Sequence, residues 1–223
     1  SYALGGHSLF SSSSSLDIFK YAHKCRIPTF FDLGPAAFSI DKDIIEQAIK
    51  ASNVVLTTME EISIWTGSND KIQATKEILS LGAEIVVIKC GSEGCVIISS
   101  QDEIILDGFE VVVRDTAGAG DAFAGAFIFG YLSKYSLAES GAIANATGAI
   151  TVTRVGTGPY VPQRAEIFDM LKFSGITILL IDKQELLPLH TPHSSSNAVP
   201  AVIPKQSQLD SSCSPQLSIQ VSW

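Results

Sequence analysis

Seven residues, Asp115-Thr116-Ala117-Gly118-Ala119-Gly120-Asp121, run straight into the small, apolar stretch 122–132. Residues 110–113 contain three valines, so they are expected as a strand that feeds a glycine-rich turn, and the turn opens a helix. Backbone N–H groups at a helix start have no partner inside the helix and point outward as donors. The helix dipole adds partial positive charge there, and the small residues Ala117, Gly118, Ala119 and Gly120 let a ligand approach the backbone. Together these features suit a phosphoryl group. Asp121 stands at the mouth of that site. A carboxylate beside an anion hole is electrostatically unfavourable unless it has a task, and the natural task is to take a proton from a hydroxyl attacking phosphorus. The alternative reading is an ordinary β–α turn with an aspartate in the first helical turn.

A second block decides between these readings. Residues 143–162 read Ile-Ala-Asn-Ala-Thr-Gly-Ala-Ile-Thr-Val-Thr-Arg-Val-Gly-Thr-Gly-Pro-Tyr-Val-Pro. Taken with the first block, this resembles the C-terminal signature of the ribokinase-like (PfkB) sugar kinases. Asp115, Thr116, Gly118, Gly120, Asp121 and Phe123 match the first part of that signature, and the Ala-Asn-Ala and Val-Thr-Arg-x-Gly elements match the second. The resemblance implies ATP-dependent phosphorylation of a sugar or nucleoside hydroxyl. Asp121 would be the general base and residues 117–120 the anion hole, with Gly118, Ala119 and Gly120 counted among the catalytic residues. Thr116 and Asn145 would lie beside the nucleotide, and Gly156 and Gly158 in a loop at the pocket edge.

Three earlier segments extend the resemblance. Lys89-Cys90-Gly91-Ser92-Glu93-Gly94 joins two apolar runs, 85–88 and 95–99. In the family a Gly-x-x-Gly turn here contacts the nucleotide phosphates, which makes Lys89, Gly91 and Gly94 binding candidates. Without the family order, the same residues read as a plain hairpin turn. Residues 56–67 resemble the Asn-x-x-Glu…Leu-Thr-Gly segment, so Glu61 matches the glutamate that organises the magnesium shell, with Asp115 acting indirectly on the metal. Thr58 stands where the family usually has Asn. Residues 30–35 resemble the family's Phe-Asp-Pro strand end, but Leu33 replaces the proline and Ala36 stands near the place of an arginine, so Asp32 is expected only to close a strand. The resemblance thus implies ATP and Mg2+. It also allows K+ held by main-chain carbonyls near Asp115, Ala117, Thr151, Arg154 and Gly156, with Tyr160 replacing a small residue that often completes that site.

Periodicity supplies alternating elements. Helices are expected over 16–25, 41–51, 69–81, 119–132 and 137–152, and strands over 27–32, 53–57, 85–88, 95–99, 103–106 and 110–113. A serine run at 11–15 would cap the first helix, Asp41 the second, and Gly82 would stop the third. Ser136 and Glu139 have capping-box spacing. The predicted class is α/β: a ribokinase-like, mostly parallel sheet covered by helices on both faces, with ligands at the carboxyl ends of the strands.

The resemblance begins at Leu16 or slightly earlier and fades near Leu171, so residues 1–171 are expected to form a partial kinase domain. The family's N-terminal third, with its Gly-Gly-Asn-type sugar motif and β lid, has no counterpart. The lid often dimerises, so a homodimer is an expectation for a full-length protein only. Residues 188–223 are rich in Pro and Ser and cannot bury enough apolar surface to order themselves. A divergent, disordered tail is expected over 172–223, as in a truncated or alternatively processed product.

With 223 residues, 46% hydrophobic and 17% charged, the chain can build one large α/β core. A net charge of −8 argues against a nucleic-acid partner. Cys25, Cys90, Cys95 and Cys213 have no Cys-x-x-Cys spacing and read as reduced thiols, and the four histidines form no zinc pattern. No apolar run approaches the ~18 residues of a membrane span. No leader is readable, and an intracellular location, cytoplasmic or plastid, is expected. No lysine follows a glycine and no Gly-x-Gly-x-x-Gly occurs, which argues against Walker-type and dinucleotide-binding sites. The rival reading is a nucleotide-binding or partner-binding protein without catalysis, because the residues that would hold a sugar acceptor are not recognisable.

Overall fold

Residue 31 and residue 30 are adjacent phenylalanines, and they bury themselves on opposite faces of one sheet. The computed structural model describes residues 1–6, 13–34, 39–176 and 178. Its sheet has six strands in sequence order: β1 (Tyr2–Gly5), β2 (Thr29–Asp32), β3 (Val54–Thr58), β4 (Ile85–Lys89), β5 (Cys95–Ser99) and β6 (Glu103–Leu106). The first four are parallel, and β5 and β6 add antiparallel. The helices are α1 (Ser13–Lys24), α2 (Lys42–Lys50), α3 (Met59–Thr66), α4 (Lys71–Leu81), α5 (Ala119–Leu132), α6 (Leu137–Val152) and α7 (Arg164–Phe173).

Period-2 alternation explains the two-sided core. Phe31, Val55, Val86 and Ile88 pack with Phe19 of α1, Ile45 and Ile49 of α2, Ile62 of α3 and Ile78 of α4. Phe30, Val54, Leu56, Val87 and Ile97 pack with Phe123 and Phe127 of α5 and Ala144 of α6. A third cluster joins Ile143, Ala146 and Ile150 of α6 to Ile167 and Leu171 of α7 and to Ile178. The predicted α/β class and mostly parallel sheet with helices on both faces are therefore observed.

Most expected elements appear within a residue or two of their expected ends. Asp41 caps α2 by accepting from the Asp43 amide. Asp70 caps α4, and Gly82 ends it at φ 122°. Ser136 and Glu139 form the expected capping box of α6. Serines 13–15 lie inside α1 instead of only preceding it.

Three elements, β1, α3 and α7, escaped the sequence reading, and one expectation is corrected. Strand β1 was not expected, being four residues with one buried side chain, Leu4. Helix α3 was not expected either, although Thr58 and Glu61 build a capping box for it. Residues 110–113 are not a strand. Their valines resemble strand sequence, but Val112 is 79% exposed. The backbone just beyond them turns to the end of α6, where the Arg114 and Asp115 amides donate to Val152 O at 2.7 and 3.2 Å. The tail expected over 172–223 lies outside the described residues from 179 onward.

Phe31 has no exposed surface and its ring centroid lies 6.4 Å from that of Phe19. Phe31→Ala is expected to cost about 3–5 kcal/mol of stability in urea unfolding. Val112→Ala, at the exposed position, is expected to stay within about 0.5 kcal/mol of the parent.

Candidate functional site

The four parallel strands end at one side of the sheet, where a cavity of about 870 Å³ opens. Gly5 and Gly6 at and after the end of β1, Asp32 and Gly34 at and after β2, Thr58 of β3 and Lys89 of β4 all line it. Opposite them stand the 91–94 turn, the 108–113 segment, the start of α5, and Asn145, Gly148, Ala149 and Val152 of α6. This is the position in which open α/β sheets bind ligands.

The start of α5 is the chemical centre of the cavity. Gly118 is its N-cap at φ 74°, a conformation that disfavours side chains, and no side chain caps the helix. Ala119 N donates to Thr116 O at 3.3 Å and Ala122 N to Gly118 O at 2.9 Å. The amides of Gly120 and Asp121 have no backbone acceptor among the described residues. Ala119, Gly120 and Asp121 line the cavity, and Asp121 is exposed to it. Two free amides, the positive end of a helix and a carboxylate thus share one opening.

Asp115 organises the turn that leads there. One carboxylate oxygen accepts from Ala117 N and the other from Gly156 N, each at 3.0 Å. Those backbone donors, Ala117 first and Gly156 second, hold its carboxyl below the usual aspartate range. The 156–158 loop is thereby tied to the turn, and a Cβ on Gly118 would sit 2.9 Å from the Thr157 methyl carbon.

The Lys89–Asp32 ion pair and the Glu61 carboxylate flank the centre. Lys89 Nζ donates to both carboxylate oxygens of Asp32, at 2.9 and 3.0 Å. Burial pushes the Asp32 carboxyl up, and Lys89 pulls against that. Glu61 is buried, and its Oε2 accepts from Thr58 N at 2.8 Å and from Thr57 Oγ1 at 3.3 Å. Asn145 donates from Nδ2 to Leu106 O and Asp107 O at 3.3 and 3.1 Å, which joins α6 to the segment after β6. A Cβ on Gly94 would overlap Leu106 O, so the 91–94 turn lies hard against the same segment.

The model of the pfkB family carbohydrate kinases matches residues 3–164, well over half of the chain. The chain belongs to the pfkB family. This pfkB chain is 32% identical over 122 residues to an uncharacterized sugar kinase of Archaeoglobus fulgidus, covering 55% of this chain and 48% of the relative. It is 28% identical over 179 residues to 5-dehydro-2-deoxygluconokinase of Bacillus thuringiensis, covering 74% of this chain and 54% of the relative. Among solved structures, the ribokinase of Thermotoga maritima superposes with a TM-score of 0.62 at 26% identity, covering 70% of this chain and 53% of that one. The Arabidopsis thaliana ribokinase gives 0.65 at 25% identity, covering 71% and 52%. The pfkB chain spans about half the length of the curated relatives it matches. The match starts at residue 3 and takes in β1, earlier than the start expected near Leu16.

The structure brings Asp121, Ala119, Gly120, Thr116, Lys89, Gly91, Gly94, Asn145 and Glu61 to one cavity. Gly118 caps the helix below it. Asp115, Gly156 and Gly158 are not among the lining residues, and Asp115 and Gly156 meet in the brace behind the turn instead. Sequence reasoning set Asp32 aside, because the family's proline and arginine do not follow it. The available signal was a charged residue at the carboxyl end of a buried strand, matched two strands away by Lys89. No helix among the described residues is long and apolar enough to cross a membrane.

Since the Asp115 carboxyl is held low, its contribution to stability is complete above the ordinary aspartate pKa of about 3.9 and is lost as pH falls through the folded value. Asp115→Ala is expected to lower the melting temperature at pH 7, and the gap from the parent should close as the melts are repeated at progressively more acidic pH.

Proposed function

We propose that this chain carries the nucleotide-side half of a kinase that moves the γ-phosphoryl group of ATP to a hydroxyl of a sugar or nucleoside. The observation that carries this reading is the uncapped start of α5. It opens into the cavity at the strand ends with Asp121 in its first turn. Membership of the pfkB family and the names of relatives support the reaction class. One structural relative, the Arabidopsis ribokinase, was solved with ribose and ATP.

In this mechanism Asp121 accepts the proton of the acceptor hydroxyl. The acceptor oxygen then bonds to the γ-phosphorus as the bond from that phosphorus to the ADP oxygen breaks. The amides of Gly120 and Asp121 donate to the oxygens of the moving phosphoryl group, so catalysis is mainly positioning and electrostatics. Asp115 acts behind them, keeping the turn in the shape that leaves those donors free. Thr116, Gly91 and Gly94 offer surfaces for the phosphate chain, and Asn145 lies on the wall where the nucleotide would rest. Gly156 and Gly158 contribute through the loop that Asp115 holds.

Magnesium fits this arrangement as a partner of the nucleotide. Among the described residues no group of three metal-binding side chains is assembled. Mg2+, however, is commonly held by one or two carboxylates, substrate phosphates and water. Glu61 lines the cavity with Oε2 committed to the cap of α3, and its carboxylate would hold such a metal through the water shell. When bound, Mg2+ neutralises charge on the phosphates. A fructokinase of Vibrio cholerae was solved with potassium. K+ beside the turn, on carbonyls near Asp115, Ala117, Thr151, Arg154 and Gly156, belongs to the same proposal.

Nucleotide binding without turnover is the second reading, favoured by the chain's span of about half its relatives. ADP release measured against a panel of sugars and nucleosides separates the two. Asp121→Asn is expected to leave ATP affinity nearly unchanged in calorimetry and to cut turnover by about 10²–10⁴-fold, the usual worth of a general base. Equal turnover by mutant and parent removes Asp121 from the mechanism, and ATP binding with no sugar-dependent ADP release favours the second reading.

A further inference from the structure

We propose that Asp32 is a positioning residue, holding the Lys89 ammonium beside Gly120 so that its charge meets a phosphoryl group arriving at the start of α5. The inference rests on the nucleotide-binding reading above and adds to it the device that places the cation. Four carboxylates line the cavity, those of Asp32, Glu61, Glu110 and Asp121. Among the described lining residues Lys89 is the one cationic side chain. An arriving anion therefore meets side-chain positive charge at that single point, beside the free amides of α5.

The geometry fixes the point. Lys89 ends β4 and Asp32 ends β2, with β3 between them, so the ion pair bridges across a strand. Both carboxylate oxygens accept from Nζ, and only 13% of the lysine side chain and 22% of the aspartate side chain are exposed. A long, flexible side chain is thereby confined to one direction. On the other side of the ammonium lies the first turn of α5: a Cβ on Gly120 would be 3.9 Å from Nζ. The lack of a side chain at Gly120 leaves the ammonium and the free amides open to the same ligand oxygen. Burying such a pair yields little or no net stability compared with an apolar pair of the same size. Its arrangement is accounted for by where it puts the charge.

The test uses the full 223-residue chain, with MgATP and inorganic tripolyphosphate as separate calorimetric probes and thermal melts as the folding control. Lys89→Met is expected to weaken tripolyphosphate about 10- to 100-fold, the worth of one charge-assisted contact. Asp32→Glu keeps both charges but moves the ammonium by about one C–C bond length. It is expected to melt close to the parent and bind tripolyphosphate several-fold more weakly. The exchanged pair, Asp32→Lys with Lys89→Asp, keeps the ion pair and moves the cation to β2. It is expected to recover the melting temperature lost in Lys89→Met while binding as poorly as that variant. A purely structural pair would make both variants bind like the parent, and that result overturns the inference while leaving the nucleotide site standing. A parent chain that binds neither probe overturns both.

Discussion

Close approach of α6 to the sheet is the constraint on which the site depends. A Cβ on Gly141 would lie 2.5 Å from a Leu106 methyl carbon and 2.8 Å from one of Ile97. On the neighbouring helix, a Cβ on Gly130 would lie 2.8–2.9 Å from Ser140. A side chain at Gly130 would push α5 away from the Ser140 backbone of α6, and one at Gly141 would displace the side-chain ends of Leu106 and Ile97, because packed interiors have little slack. With the glycines in place, α5 and α6 lie tight on one face. The beginning of α5 then comes level with the ends of the parallel strands, and Asn145 reaches the backbone after β6. The small-residue texture of 119–152 is thus a packing device first, and the exposed helix start is its consequence.

Charge in the cavity follows from the same placement. The chain carries a net charge of −8 and lines its main cavity with four carboxylates, so the proposed anion binding would rely on local positive potential. That potential comes from the free amides and dipole of α5 and from the Lys89 ammonium. Three of the nearby carboxylates have an engagement that limits their repulsion. Asp32 is paired with Lys89, Glu61 is spent on the cap of α3, and Asp115 is turned onto two backbone amides. Asp121 alone stands in the first turn of α5 with its carboxylate in the opening, which is the position a proton acceptor needs.

Much of the fold was legible because local signals agreed with burial. Short continuous apolar runs marked β2, β3 and β4, and capping residues marked α2, α4 and α6. Legibility failed where the deciding contact was distant. Residues 110–113 have strand composition, but the backbone that follows is drawn to the carboxyl end of α6. Helix α3 was hidden because Met59–Thr66 is short and was occupied by a motif reading of Glu61. In the site, the turn residues 115–121 could be read from glycine spacing. Asp32 could not, since its partner is 57 positions away.

Sequence alone determined the class of fold, the glycine-rich turn that opens a helix, and the residue types able to bind an anion and accept a proton. These are properties of neighbours along the chain: periodicity, caps and backbone freedom act over a few residues. Tertiary structure decided which of those residues face one another. It placed Asp115 as a brace behind the turn, turned Glu61 into a helix cap at the cavity edge, and joined Asp32 to Lys89 across β3. Such pairings depend on how strands are ordered and how closely helices lie on them. That order is set by burial of the whole core, which no local stretch of sequence contains.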